Sequence, residues 1–225
     1  MKLVRMLCAG VAVFGMTTAA QAEDGYNLWL RYGQPASMSI SVPQASTTLN
    51  VAAAELRRGL PRTTHPIVLE RASAPEVAAL GLKLDALGGE GYAVRQVRLG
   101  GRAVTLVTGN SDVAILYGTF ALIRHAHTGG SVDTATLTSA PHIKLRMLDH
   151  WDNLDGSVER GYAGQSLWDW WTLPDFHDPR YVDYARANAS IGINGTVLNN
   201  VNAKPDSLTA PYIAKAAALA DIFRP

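Results

Sequence analysis

The sequence predicts an α/β protein in two parts. A small sheet with one layer of helices comes first, and the opening βα units of a parallel fold follow. Three observations carry this reading. The stretch from about 23 to 140 orders its apolar patterns as β-α-β-α-β-β-α. Two alternating runs, "GYAVRQVRL" and "RAVTLVTG", flank Gly100-Gly101 as a β-hairpin with a primed turn. From 141 to 225 the rhythm becomes β-α-β-α, the alternation that produces parallel strands in a barrel or a doubly wound sheet.

The elements follow in order. "SMSISV" alternates as a strand. "STTLNVAAAELRRGL" sets Leu49, Ala52, Ala53 and Leu56 on one helical face, with Ser46 or Thr47 as N-cap. "PIVLE" is a short apolar strand and "APEVAALGL" a short helix. After the hairpin, "SDVAILYGTFALIRHAHTGG" is an apolar helix that Ser111 can cap and Gly129 can end. "SVDTATLTSAP" reads as a polar connection. In the second part "HIKLRMLDH" and "INGTVLNNV" are strands. "DPRYVDYARANASIG" is a helix with Asp178 at the N-cap, Pro179 at N1 and Gly192 past its end. "SLTAPYIAKAAALADIF" is a helix with Leu219 and Phe223 on one face. Two parallel strands cannot cover both faces and satisfy their edges. The chain is therefore expected to be the beginning of a longer protein. The alternative is that both βα units pack onto the first part as a complete fold.

Residues 1–22 read as a secretory signal. Lys2 and Arg5 precede an apolar run, and Ala20-Gln21-Ala22 is a small-x-small cleavage site before Glu23. The run is short of the roughly 20 residues of a membrane span. Export to the periplasm or the extracellular space is expected. Cys8, the only cysteine, lies inside this segment, so the mature chain has no disulfide chemistry. The 225 residues hold 20 Lys+Arg and 19 Asp+Glu. Losing two positive charges leaves the mature chain near neutral, which gives no reason to expect nucleic acid or an anionic membrane as partner.

In parallel α/β folds, function gathers in the loops after the carboxyl ends of strands. Here those loops are "HWDNLDGSVERGYAGQSLWDWW" and "NNVNAKPDS". The first holds four of the five tryptophans. Trp offers a platform for the C–H face of a sugar, and Asn, Asp, Glu and Arg offer partners for its hydroxyls. Arg also suits a carboxylate, which it can hold bidentately.

These residues resemble a known family. "LDHWDNLDGSVERGYAGQSLWDW" and "YARANASIGINGTVLNNVNA" are similar to signature segments of the α-glucuronidases of glycoside hydrolase family 67. "GNSDVAILYGTFALIRH" resembles the last helix of that family's N-terminal α/β domain. The resemblance covers nearly all of the mature chain. It implies an N-terminal domain over 23–140 and the first two units of a (β/α)8 TIM barrel over 141–225. It implies a hydrolase that removes (4-O-methyl-)glucuronic acid from the end of xylo-oligosaccharides with inversion, without metal or cofactor, and a homodimeric full-length protein. The catalytic carboxylates would lie on later barrel strands, beyond residue 225. The carry-over to this chain is substrate-binding only: Trp151 against the uronic acid and its methyl group, Glu159 and Arg160 on the sugar, and Asn199, Asn200 and Val201 at the second strand end. Asp149 departs from the family's pattern, which commonly has Asn before His-Trp.

Plainer readings stand beside these. Asp152 and Asp155 could be an acid–base pair, but such residues more often build turns. Trp168, Trp170 and Trp171 are expected to pack the loop down. Glu159 and Arg160 alone would read as a solvated pair. His125-Ala126-His127 has no third metal ligand nearby, and there is no G-x-S-x-G elbow. A non-catalytic carbohydrate-binding module and a hexosaminidase-like glycosidase are the alternative functions.

Overall fold

The computed structural model describes residues 24–30, 32–34 and 37–225. The signal segment expected over 1–22 lies outside the described residues. Among them, no helix is long and apolar enough to cross a membrane.

The first sheet has five strands in the order β1-β2-β4-β3-β5: β1 (Ile40–Ser41), β2 (Ile67–Arg71), β3 (Tyr92–Leu99), β4 (Arg102–Gly109) and β5 (Leu137–Ser139). β1, β2 and β4 run parallel, and β3 lies antiparallel to β4 and β5. The β3–β4 turn is made by Gly100 and Gly101 at φ +52° and +80°. Positive φ at both central positions gives a two-residue turn whose twist matches its strands.

Helices α1 (Thr47–Gly59) and α3 (Asp112–His127) cover one face. Ser46 and Ser111 cap them, each accepting a backbone N–H at 3.2 Å, from Leu49 and Ala114. Leu49, Leu56, Ile115, Phe120 and Ile123 meet Ile67, Leu69, Val94 and Val107 there. Each such side chain stabilises by about 1.5–3 kcal/mol on burial. Gly118 lets α3 approach closely, since a Cβ would stand 2.9 Å from Val107.

Two expectations change. The opposite face is not bare: helix α2 (Pro75–Ala78), a single turn, brings Val77 over Val68, Ala93, Val104 and Leu106, with Leu84 beside it. The segment read as a polar connection supplies β5. Its Leu137 packs on the core while Thr138 faces solvent, and Arg95 donates to Leu137 O at 2.7 Å and Thr138 Oγ1 at 2.6 Å. Polar residues suit a strand at the sheet edge.

The second sheet pairs β6 (Met147–Asp149) with β7 (Gly195–Val197) in parallel. Helices α4 (Pro179–Ser190) and α5 (Ala210–Phe223) follow them. Asp178 caps α4, accepting the Arg180 N–H at 3.0 Å. Trp168, Trp170, Leu173, Tyr181 and Leu219 form a separate buried core. The strands are shorter than their apolar runs, because pairing covers only three residues of each.

A polar seam joins the two parts. Glu55 of α1 is fully buried and accepts from Arg186 Nε at 2.7 Å, from Tyr32 OH at 2.8 Å and from Arg58. Burial and the adjacent carboxylate push the Tyr32 phenol above its ordinary value. Burial opposes the charge of Arg186, yet its bonds to Glu55 hold the guanidinium above its usual range. Nearby, Trp29 Nε1 donates to Ser190 Oγ at 2.9 Å, and Arg124 stacks on Trp29 while donating to Ser190 O. Arg146 forms an ion pair with Glu90 at 2.9 Å and donates from Nε to Gly192 O at 2.6 Å.

Breaking a buried pair strands a charge. Glu55→Gln is therefore expected to lower stability by about 3 kcal/mol in chemical denaturation, and a loss below about 0.5 kcal/mol, the scale of a neutral surface change, would contradict the seam. A second expectation concerns acid. Arg71 binds Asp112 at 2.6 and 2.7 Å and holds its carboxyl below the usual range. This contribution is full above the unfolded value, about pH 4, and is lost as pH falls through the lower folded value. Asp112→Asn should reduce stability at pH 7 and flatten its decline below about pH 4.

Candidate functional site

The loop after β6 is ordered by alternation. In the extended stretch after Asp149, His150 and Asp152 point inward and Trp151, between them, points out. The His150 Nε2 contacts Tyr184 OH at 2.8 Å, and Tyr184 OH contacts Thr196 Oγ1 at 3.0 Å. The His150 ring also leans on Trp168, with centroids 5.2 Å apart. Asp152 is buried and accepts from Ser166 OH at 2.6 Å and Leu167 N–H at 3.2 Å. These bonds hold the loop's return limb against its outgoing limb. Trp151 is left 42% exposed.

Beyond Trp151 the chain folds back on itself. The Glu159 N–H donates to Trp151 O at 2.8 Å, and Asn153 Nδ2 donates to Glu159 O at 2.7 Å and Ser157 Oγ at 3.0 Å. Asp155 turns the tip, accepting both the N–H and the hydroxyl of Ser157. Those two bonds hold its carboxyl below the ordinary range. Glu159 has φ +57°, a region that non-glycine residues seldom adopt. Backbone strain of this kind persists where surroundings over-determine it, and it concentrates at ligand-binding positions. The Glu159 side chain is partly buried, while Arg160 is 83% exposed with Nε 3.9 Å from the carboxylate.

The loop after β7 docks on this one. Asn200 is buried: its N–H donates to Asp152 O at 2.7 Å, its amide reaches Glu159 O at 3.5 Å, and its Oδ1 accepts the Asn202 N–H. Its side chain thus braces the two loops. Val201 projects outward, 70% exposed. Asn199 faces elsewhere, into a small pocket with Trp170, Leu198 and Tyr212.

Between the two loops lies a cleft of about 450 Å³, lined by Asn153, Asp155, Ser157, Glu159, Arg160 and Lys204 among others. Of the residues singled out from sequence, the fold brings Glu159 and Arg160 into it directly, Asn200 behind them, and Trp151 and Val201 onto the exposed surface of the two loops. Asn153, Asn202 and Lys204 also line it. They stand in the two loop segments already quoted, but nothing in their spacing separated them from turn residues. A second cleft, of about 380 Å³, opens at the amino end of β7 beside Gly195, Leu116 and Phe223. That is the wrong end of a parallel strand for a parallel α/β site.

Two of the loop's acids serve its structure: Asp152 accepts from Ser166 and Leu167, and Asp155 from Ser157. Trp168 and Trp170 pack inside, as expected, but Trp171 does not. It follows Trp170 in a turn and is exposed, which corrects the reading of all three as packing residues. His127 uses its Nε2 on Gly59 O at 2.7 Å, and among the described residues no three His, Cys, Asp or Glu side chains gather as a metal site.

Comparison with known proteins decides the family. Residues 28–122 match the model described as Glycosyl hydrolase family 67 N-terminus, and residues 125–225 match Glycosyl hydrolase family 67 middle domain. The chain belongs to glycosyl hydrolase family 67. It is 33% identical over 251 residues to "Probable alpha-glucuronidase A" of Aspergillus fumigatus, covering 96% of this chain and 29% of that one. It is 34% identical over 246 residues to "Alpha-glucuronidase A" of Emericella nidulans, covering 92% and 28%. The chain thus spans under a third of the length of these curated relatives. Among solved structures, a GH138 enzyme targeting pectin rhamnogalacturonan II superposes with TM-score 0.51 at 18% identity, over 83% of this chain and 29% of that one, a likeness of fold.

Asp152 is the inward anchor on which the site's shape rests. Asp152→Ala leaves the Ser166 hydroxyl and Leu167 N–H without their acceptor, at about 1–3 kcal/mol. Hydrogen exchange should then quicken at Glu159 and Ser166 more than at α1. Exchange that stays slow at both positions would show that the loop stands without this residue.

Proposed function

We propose that this chain is the N-terminal portion of an exported α-glucuronidase that hydrolyses α-1,2-linked (4-O-methyl-)glucuronic acid from xylo-oligosaccharides with inversion. The reading rests most heavily on one observation. An outward Trp151 and the Glu159–Arg160 pair stand at the carboxyl end of β6, in a chain whose curated relatives are named alpha-glucuronidases. In this reading 23–140 is the N-terminal domain, and β6, α4, β7 and α5 open a (β/α)8 barrel. The parallel β6–β7 pair, with Leu148 and Val197 still exposed, supports that continuation. Export is proposed through residues 1–22, and homodimerisation through parts outside this chain.

The division of labour follows from the chemistry. Inverting hydrolysis needs one carboxylic acid to protonate the leaving oxygen and one carboxylate to draw a proton from water, roughly 6.5–9.5 Å apart. Asp152 and Asp155 each use one carboxylate oxygen to hold the loop's own backbone, Asp152 on Leu167 N–H and Asp155 on Ser157 N–H, so the catalytic pair is assigned to barrel strands beyond residue 225. The residues present bind and orient. Trp151 offers its face to the sugar's C–H surface. Glu159 accepts hydrogen bonds from hydroxyls, and Arg160 donates to a carboxylate. Acid–base hydrolysis of this kind calls for neither metal nor cofactor.

The intact protein should release 4-O-methyl-glucuronic acid from aldouronic acids, with the β-anomer appearing first by NMR. Activity on N-acetylglucosaminides alone, or sugar binding without hydrolysis, would refute the proposal. Arg160→Ala should raise KM by about tenfold or more, and Arg160→Lys should restore only part of it, because an ammonium cannot make the planar two-point contact.

A further inference from the structure

Trp171 is the most exposed of the loop's four tryptophans. Trp168 and Trp170 are 1% and 4% exposed, whereas Trp171 is 68% exposed. It is nevertheless fixed. Its N–H donates to Asp169 Oδ1 at 3.0 Å, the Thr172 N–H reaches the same oxygen at 3.3 Å, and the Asp169 N–H donates to Tyr181 OH at 2.8 Å. The outer edge of the indole rests on Gly156: a Cβ there would stand 3.0 Å from both Cη2 and Cζ3. Gly156 also has φ +81°. Position 156 thus meets two requirements that only glycine satisfies, an open path for the ring and a left-handed backbone. Its chain neighbours, Asp155 and Ser157, line the cleft that holds Glu159, Arg160 and Lys204. The exposed indole therefore stands at the rim of that cleft.

An aromatic side chain held rigidly in water offers contact area at little ordering cost, which is how ring-stacking platforms work. Position selects which ring it takes. The cations Arg160 and Lys204, which suit a uronate, line the cleft, while the indole stands at its rim, where the next ring of the same oligosaccharide would lie. A neutral pentopyranose, which carries no exocyclic carbon, can lie flat on the indole face while the uronate enters the cleft.

We infer that Trp171 is a stacking platform for a neutral xylose ring of the oligosaccharide that carries the uronic acid. This rests on the α-glucuronidase reading for the identity of the chain being held, and its test has one arm that needs no catalysis. In the intact wild-type protein, N-bromosuccinimide oxidation of each tryptophan is followed by mass spectrometry, with and without saturating xylotriose. Xylotriose should slow oxidation of Trp171, and an unchanged rate would overturn the platform whether or not the protein is a glucuronidase. In the kinetic arm, Trp171→Ala should raise KM for an aldouronic acid with three xyloses about tenfold more than for one with a single xylose, the scale of one lost stacking contact. Trp171→Tyr should recover most of that difference. Equal effects on both substrates would reduce Trp171 to a structural residue and contradict the inference. Loss of hydrolysis in the wild type with protection of Trp171 intact would count against the proposed reaction while leaving the platform standing.

Discussion

The buried carboxylate of Glu55 is the constraint on which the site's geometry depends. A charge with no access to water must be surrounded by donors, and here they come from Arg186, Arg58 and Tyr32. Arg186 belongs to α4, so the bond fixes that helix against α1 and the first sheet. Ser190 at the end of α4 is held a second time by Trp29 and Arg124. α4 in turn carries Tyr181 and Tyr184, against which Trp168 packs and from which His150 takes its contact. The inward anchors of the loop thus stand on a helix that the first part of the protein positions. Trp151 points outward because its two neighbours are tied inward.

Much of the scaffold was legible because it obeys local rules. Ser111 and Asp178 cap the helices they were expected to cap, Ser46 rather than Thr47 caps α1, and Gly100-Gly101 makes the turn its dipeptide demands. Strand extents were less legible. "SMSISV" alternates over six residues but only Ile40 and Ser41 pair: β2 runs on to Arg71, while the chain of β1 turns away at Pro43 and Gln44 toward the cap of α1. β5 escaped notice for a related reason: its Thr and Ser face water at a sheet edge, so its composition looks like a loop's.

The site divides in the same way. Trp151 was legible from its place after a strand, and Glu159 and Arg160 from the family resemblance. Asn199 and Asn200 are adjacent and chemically alike, yet one faces a pocket beside Tyr212 and the other braces two loops. Side-chain direction in an irregular segment depends on partners far away in sequence, here Asp152 and Glu159. Trp171 shows the same limit. Nothing in "WDWW" says that the last indole stays in water while the first two are buried, since that is decided by where Gly156 leaves room for a ring.

The loop that concentrates acids and tryptophans is thus a shaped wall. Its aspartates hold the backbone, two of its indoles fill a core, and its outward residues are left for a ligand. The most direct measurement is a crystal structure of the intact protein with glucuronic acid bound. The sugar ring is expected within van der Waals contact of Trp151, with its carboxylate or hydroxyls on Arg160 and Glu159 and with Asp152 still bonded to Ser166. A uronic acid bound away from this loop, or coordinated by Asp152 itself, would contradict the assignment of the loop as a binding wall.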